Sequence, residues 1–133
     1  MTIQEFFGTL LAASEQVHKS HLKTKKYASH IAMNEFYDDI IDTVDTLIEA
    51  YQGLHGIVDD YKNTLTCDGD DCIKYLEDLL QLTRDGREQY CNESELESLC
   101  DDVLALIDST LYKLKNLTET RVTLVEYIKE NIL

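Results

Sequence analysis

The chain has no proline and only five glycines in 133 residues. Those are the residues that break helix interiors, so their scarcity favours long, uninterrupted helices. Positive charge is sparse as well: 12 Lys and Arg stand against 26 Asp and Glu, a formal net charge of −14. The one basic cluster is Lys19, Lys23, Lys25 and Lys26. DNA affinity arises from Lys and Arg displacing phosphate counterions, so this balance argues against a DNA partner. An acidic field attracts cations instead. No apolar run approaches the ~20 residues of a membrane span. The opening stretch MTIQEFFGTLLAASEQ carries Glu5 and lacks the basic flank of a secretory signal. The expectation is a cytoplasmic protein without membrane contact, whose cysteines are mostly reduced. Cys67 and Cys72 are spaced C-x4-C, and Cys91 and Cys100 are nine apart. Neither spacing fits a zinc ribbon or a CxxC redox pair. All four are read as small buried or half-buried thiols.

What is present is apolar content of 44% in a chain of one domain's length, enough for a core without staples. Residues 2–24 read as a first helix, with Thr2 as its cap and Glu5 completing a capping box. On one side of it fall Ile3, Phe7, Leu10, Leu11, Val17, His18, His21 and Leu22. A short connection near 23–28 precedes the clearest helix, 29–53. Met33, Phe36, Tyr37, Ile40, Ile41, Val44, Leu47, Ile48 and Tyr51 cover one face of it, and Gly53 fits its C-cap. A longer connection with some helical turn follows. A third helix is expected from about Asp70 to Tyr90, with Asp68 to Asp71 favoured by its N-terminus and Gly86 weakening its last turn. Ser94, with Glu97 as reciprocal acid, would cap a fourth helix running to about Asn131, with Val122 and Val125 in its apolar set. The expected fold is all-α: one four-helix bundle domain over 1–133, with the longer connection between the second and third helices.

Histidine is rare too, yet three of the four, His18, His21 and His30, fall within VHKSHLKTKKYASHIAMNEF. Lone histidines on apolar faces are usually hydrogen-bonded core residues. Two on one helix facing a third on the next point towards a metal, since imidazole with carboxylate suits iron and zinc. On a helical wheel, His30, Asn34, Asp45 and Glu49 form one stripe at the border of the second helix's apolar face, with Asp38 and Asp42 close by. His30 and Asp45 are fifteen residues apart, or ~22 Å of helix rise. One chain therefore cannot bring both ends of the stripe to one ion. An antiparallel two-fold partner can, and would create two equal sites.

These positions resemble the Dps-like ferritins. In that family a His near the end of the first helix is followed by a second His and an acid, then by an Asp and a Glu further along. Here His18 and His30 are twelve apart, and Asp45 and Glu49 follow His30 by fifteen and nineteen. Asn34 stands where the family usually has Asp, and Lys19 where it commonly has Trp. The resemblance is carried by residues 18–53, and no lysine-rich tail of the DNA-binding members is present. The compact form is similar to ferritin-like proteins of phage genomes, for which the compartment would be the host cytoplasm.

The resemblance implies a ferritin-like fold and an inter-subunit site that binds and oxidises Fe(II), with zinc as a possible surrogate. Its ligands would be His18, His30, Asn34, Asp45 and Glu49, supported by His21 and Asp38. It also implies a homo-oligomer built through a two-fold interface, up to a dodecameric cage that holds the oxidised iron. Tyr27 and Tyr37 lie near enough in sequence to donate electrons, though both are core candidates first. The alternative is a helical-bundle interaction protein, metal-stabilised or metal-free, without redox turnover.

Overall fold

A computed structural model describes residues 1–117 and residue 128. Among these are four α-helices: α1 (Ile3–Lys23), α2 (Tyr27–His55), α3 (Ile73–Tyr90) and α4 (Ser94–Asn116). The expected continuation of the last helix to Asn131, with Val122 and Val125, lies outside the described residues.

The capping box of α1 forms as its sequence predicts. The Thr2 hydroxyl accepts from the Glu5 N–H at 3.1 Å, and Glu5 Oε1 accepts from the Thr2 N–H at 2.8 Å. α2 starts two residues before the expected position, at Tyr27, and three other helix ends also differ from expectation. α2 runs past Gly53 and stops at Gly56, whose φ of +96° supplies the left-handed backbone a helix stop favours. α3 begins only at Ile73, so Asp68 to Asp71 stay outside its first turn. Ser94 is the first helical residue of α4 rather than its cap. Glu93 occupies the cap position without a side-chain bond, and the Ser94–Glu97 box does not form. Exposed helix starts are served by water, so tertiary packing can override a local cap.

α1 packs on α2 and α3, and α4 packs on the same two helices. α1 and α2 are antiparallel. Phe7 meets Tyr51 edge-on at 5.0 Å near one end, while His21 stacks on His30 at 3.7 Å near the other. α4 is antiparallel to α2, since Glu93 contacts His55 at 2.5 Å and Lys113 reaches Glu35 at 2.7 Å. α3 runs down beside α1, bringing Tyr90 to Phe6. α2 and α3 therefore run parallel, and residues 56–72 form one long crossover between them. That segment holds no helical turn. The core is a single cluster in which Phe6, Phe7, Met33, Phe36, Leu76, Leu79, Leu96 and Ile107 are fully buried. Each large apolar side chain removed from water contributes about 1.5–3 kcal/mol.

The crossover lies along α1 as an extended strap. The Lys62 N–H donates to the Gln4 carbonyl at 3.1 Å, and the Thr64 N–H to the Thr9 hydroxyl at 3.0 Å. Further up, the Cys67 N–H donates to Gln16 Oε1 and the Ser20 hydroxyl to the Gly69 carbonyl, both at 2.9 Å. Thr9, Gln16 and Ser20 are buried polar residues on a helix face, and the strap supplies the partners that burial demands. Cys67 and Cys72 are joined as a disulfide across the strap's end. This corrects the reading of four separate thiols, because the turn at Gly69 brings the two cysteines together where their spacing alone carries no known motif. Gly86 is also reassigned. It is buried, and a Cβ there would stand 2.4 Å from the Phe6 ring, so it permits close packing of α1 on α3.

Candidate metal site at the α1–α2 seam

α1 and α2 are joined by three residues, 24–26. This tight hairpin brings the end of one helix against the start of the next. The seam there is built from four rings. His21 stacks on His30 with centroids 3.7 Å apart, His18 stacks on Tyr37 at 4.3 Å, and Tyr37 meets His21 edge-on at 5.1 Å. The two inner histidines bond reciprocally to backbone. His21 Nδ1 lies 2.8 Å from the His30 carbonyl oxygen, and His30 Nδ1 lies 3.2 Å from that of His21. A carbonyl only accepts, so each Nδ1 carries a proton, and in the neutral ring Nε2 is the nitrogen with the lone pair. A backbone carbonyl behind Nδ1 is the usual orientation of a metal-ligating histidine.

Asn34 sits one turn along α2. Its Oδ1 accepts from the Tyr37 hydroxyl at 2.7 Å, and its Nδ2 donates to Asp38 Oδ2 at 3.3 Å. Tyr37 is fixed from α1 as well, where the Ser14 hydroxyl donates to its carbonyl at 3.0 Å. The fold thus gathers His18, His21, His30, Asn34 and Asp38 around Tyr37. Asp45 and Glu49 are not part of this group. They are exposed further along α2, with Asp45 at the rim of a hollow of about 50 Å³ between α1 and α2. Among the described residues of one chain, no three His, Cys, Asp or Glu side chains converge to hold a metal.

Two expectations about this face are corrected. Helical spacing puts His18 on the apolar side of the first helix, but it is exposed, as are Leu11 and Leu22. The same spacing puts Ile41 in the buried arc of the second helix, yet it is half exposed at 50%. The reason is topological: α3 and α4 cover the inner sides of α1 and α2, and among the described residues no segment covers their shared outer side. Along α2 that side carries Tyr27, Ile31, Asn34, Asp38, Ile41 and Asp45, at helical spacing. Tyr37, expected as a core residue, is the ring that ties the seam together. Its spacing of three from Asn34 was the available signal.

Residues 21–114 match a family of unknown function, DUF5856. The chain belongs to this family. The match includes His21, His30, Asn34, Asp45 and Glu49, whereas His18 precedes it. This DUF5856 chain is also similar to an uncharacterized 14.6 kDa protein encoded in the mobD–ri intergenic region of Enterobacteria phage T4. The two are 36% identical over 52 residues, which span 39% of this chain and 41% of the phage protein. No solved structure matches it. Among its described residues, no helix is long and apolar enough to cross a membrane.

Proposed function

We propose that this protein binds and oxidises Fe(II) at a site shared between two copies paired through their α1–α2 faces. His18, His30 and Asn34 of one copy would meet Asp45 and Glu49 of its mate, as in the Dps-like ferritins that these spacings resemble. The carrying observation is the His21–His30 carbonyl exchange, which engages Nδ1 of His30 and leaves its Nε2 as the nitrogen open to a metal, beside a helix face that no described segment covers. The single long crossover over parallel α2 and α3 adds support, because ferritin-like bundles use one such connection. Exposed Ile31 and Ile41 on the same face supply apolar surface for a two-fold contact.

The donor set suits Fe(II). Two imidazoles and an amide oxygen are neutral, and two carboxylates match the charge of a ferrous ion. Oxidation leaves one positive charge unbalanced, which favours passing Fe(III) onward over keeping it. An assembled cage would receive it. The electron acceptor would be peroxide or oxygen.

Complementation between defective chains tests the shared site. His30→Ala and Glu49→Gln should each abolish rapid Fe(II) oxidation. Mixed and re-associated, half the dimers pair unlike chains, and each such dimer carries one intact site. About a quarter of wild-type activity should return. No recovery, with mixed dimers verified by mass, would reject the shared site. A monomer at micromolar concentration in the presence of Fe(II) would reject it as well.

A further inference from the structure

Cys91 and Cys100 lie at the opposite end of the bundle from the histidine seam. Cys91 closes α3, where its N–H donates to the Arg87 carbonyl, and Cys100 sits two turns into α4. The hairpin between these helices sets their sulfurs 3.3 Å apart. A disulfide bond is about 2.05 Å long, so closing the pair takes a shift of little more than about 1 Å. Both side chains are buried, but Cys91 forms part of the floor of an open cleft of about 410 Å³. Arg87 lines that cleft too. Its guanidinium is fixed by Asp101 at 2.9 Å and Glu97 at 3.5 Å.

The two sulfurs are not equivalent. The Cys100 thiol donates to the Cys91 sulfur, and this bond, helped by the Arg87 guanidinium, lowers the pKa of Cys91 against the opposing effects of burial and Glu93. The same bond, with burial, pushes the Cys100 thiol up. Of the two sulfurs only Cys91 belongs to a residue lining the cleft, and thiolate is the reactive form, so Cys91 is the attacking sulfur and Cys100 the one that follows. Cys91 is only 1% exposed. Burial this deep disfavours the in-line approach of a bulky disulfide and favours a small two-oxygen oxidant.

We propose that Cys91 and Cys100 form a dithiol centre that reduces hydrogen peroxide and closes to a disulfide. The Cys91 thiolate attacks one peroxide oxygen, the O–O bond breaks, and the other oxygen leaves as hydroxide. That hydroxide takes up the proton Cys91 had released and becomes water. Cys91 is now a sulfenic acid. The Cys100 sulfur attacks the Cys91 sulfur, the S–O bond breaks, and the departing hydroxide leaves as water with the Cys100 proton. Two thiols lose two electrons, and one peroxide becomes two waters. This centre uses no residue of the histidine seam, so it stands or falls separately from the iron site.

The test uses the full chain, metal-free, treated with hydrogen peroxide and then alkylated under denaturing conditions. Peptide mapping by mass reads each cysteine. Cys91 and Cys100 should lose alkylation together, and a cross-linked peptide should appear at an unchanged far-UV circular dichroism spectrum. In Cys100→Ser the hydroxyl can still donate to Cys91, and Cys91 should accumulate as a sulfenic acid trapped by dimedone. In Cys91→Ser, Cys100 should react about tenfold or more slowly. Persistence of both thiols in the wild-type chain would overturn the proposal, whether or not the variants fold. So would equal reactivity of the two single variants.

Discussion

A Cβ on Gly8 would stand 2.2 Å from the backbone nitrogen of Lys62. That contact is with main chain, which cannot swing aside as a side chain can. Glycine at position 8 therefore lets the crossover lie flat on α1, where Lys62 bonds to Gln4 and Thr64 to Thr9. Gly8→Ala should destabilise the protein by about 1–3 kcal/mol through overpacking. Gly53→Ala is the internal control. It is interior to α2 with nothing within 4 Å of a new Cβ, so it should stabilise by about 1 kcal/mol. Urea denaturation of both variants measures the pair, and equal signs would contradict the strap's close approach.

The α1 capping box makes stability depend on acid. Hydrogen bonds from the Thr2 backbone and hydroxyl lower the pKa of Glu5 below its ordinary 4.5. A carboxylate with a depressed folded value stabilises fully above its unfolded value and loses that contribution as pH falls through the folded one. Thr2→Ala removes the hydroxyl half of the box and should cost about 1 kcal/mol at neutral pH. The difference between wild type and Thr2→Ala should shrink below pH 4.5 in thermal melts. A difference that grows there would reverse the sign of the argument.

Glu49→Gln should weaken Fe(II) or Zn(II) binding more than Asp42→Asn does. Both changes remove one charge from the exposed side of α2 and keep the side chain's size. They differ in position, since Glu49 lies on the stripe with Asp45 and His30 while Asp42 does not. A generic acidic surface would lose affinity equally at both, and anaerobic calorimetry distinguishes the outcomes. Asn34→Asp adds a third carboxylate to the proposed set and should speed Fe(II) oxidation. It also replaces the Asn34 amide that donates to Asp38, so melting temperature should be followed in parallel.

DNA should not be retained at physiological salt. The −14 net charge repels phosphate, and non-specific binding depends on counterion release by clustered cations. Two lysines of the α1–α2 turn region are already engaged near acids, Lys19 with Glu15 and Lys26 with Asp71. A gel shift that persists at ~150 mM salt would contradict the electrostatic reading.

The helical class, the number of helices and the Thr2–Glu5 cap were legible because they depend on neighbours three or four residues away. So were the seam's main occupants. The spacing of His18, His21, His30 and Asn34 needs only a hairpin to bring them together, and the chain between α1 and α2 is too short to do otherwise. Helix ends were less legible. Ser94 and Glu97 satisfy the local pattern of a capping box, yet α4 begins one residue earlier than that box requires. The same holds for Gly53, passed over in favour of Gly56.

What the sequence determined by itself is therefore the material that acts at short range: long helices without proline, an acidic surface, a longer connection between the second and third helices, and a stripe of His, Asn, Asp and Glu on α2. Only the tertiary structure decided which sides of those helices are covered. It turned His18, Leu11 and Ile41 outward by placing α3 and α4 on the other side. It made Gly8 and Gly86 points of close approach, and gave buried Thr9, Gln16 and Ser20 their partners in a strap some fifty residues away. It also set Cys91 against Cys100, whose spacing carries no motif. The physical reason is common to all of these. Amphipathic periodicity records that a face is apolar, while burial and pairing depend on which distant segment arrives to cover it, and that is a property of the whole packed chain.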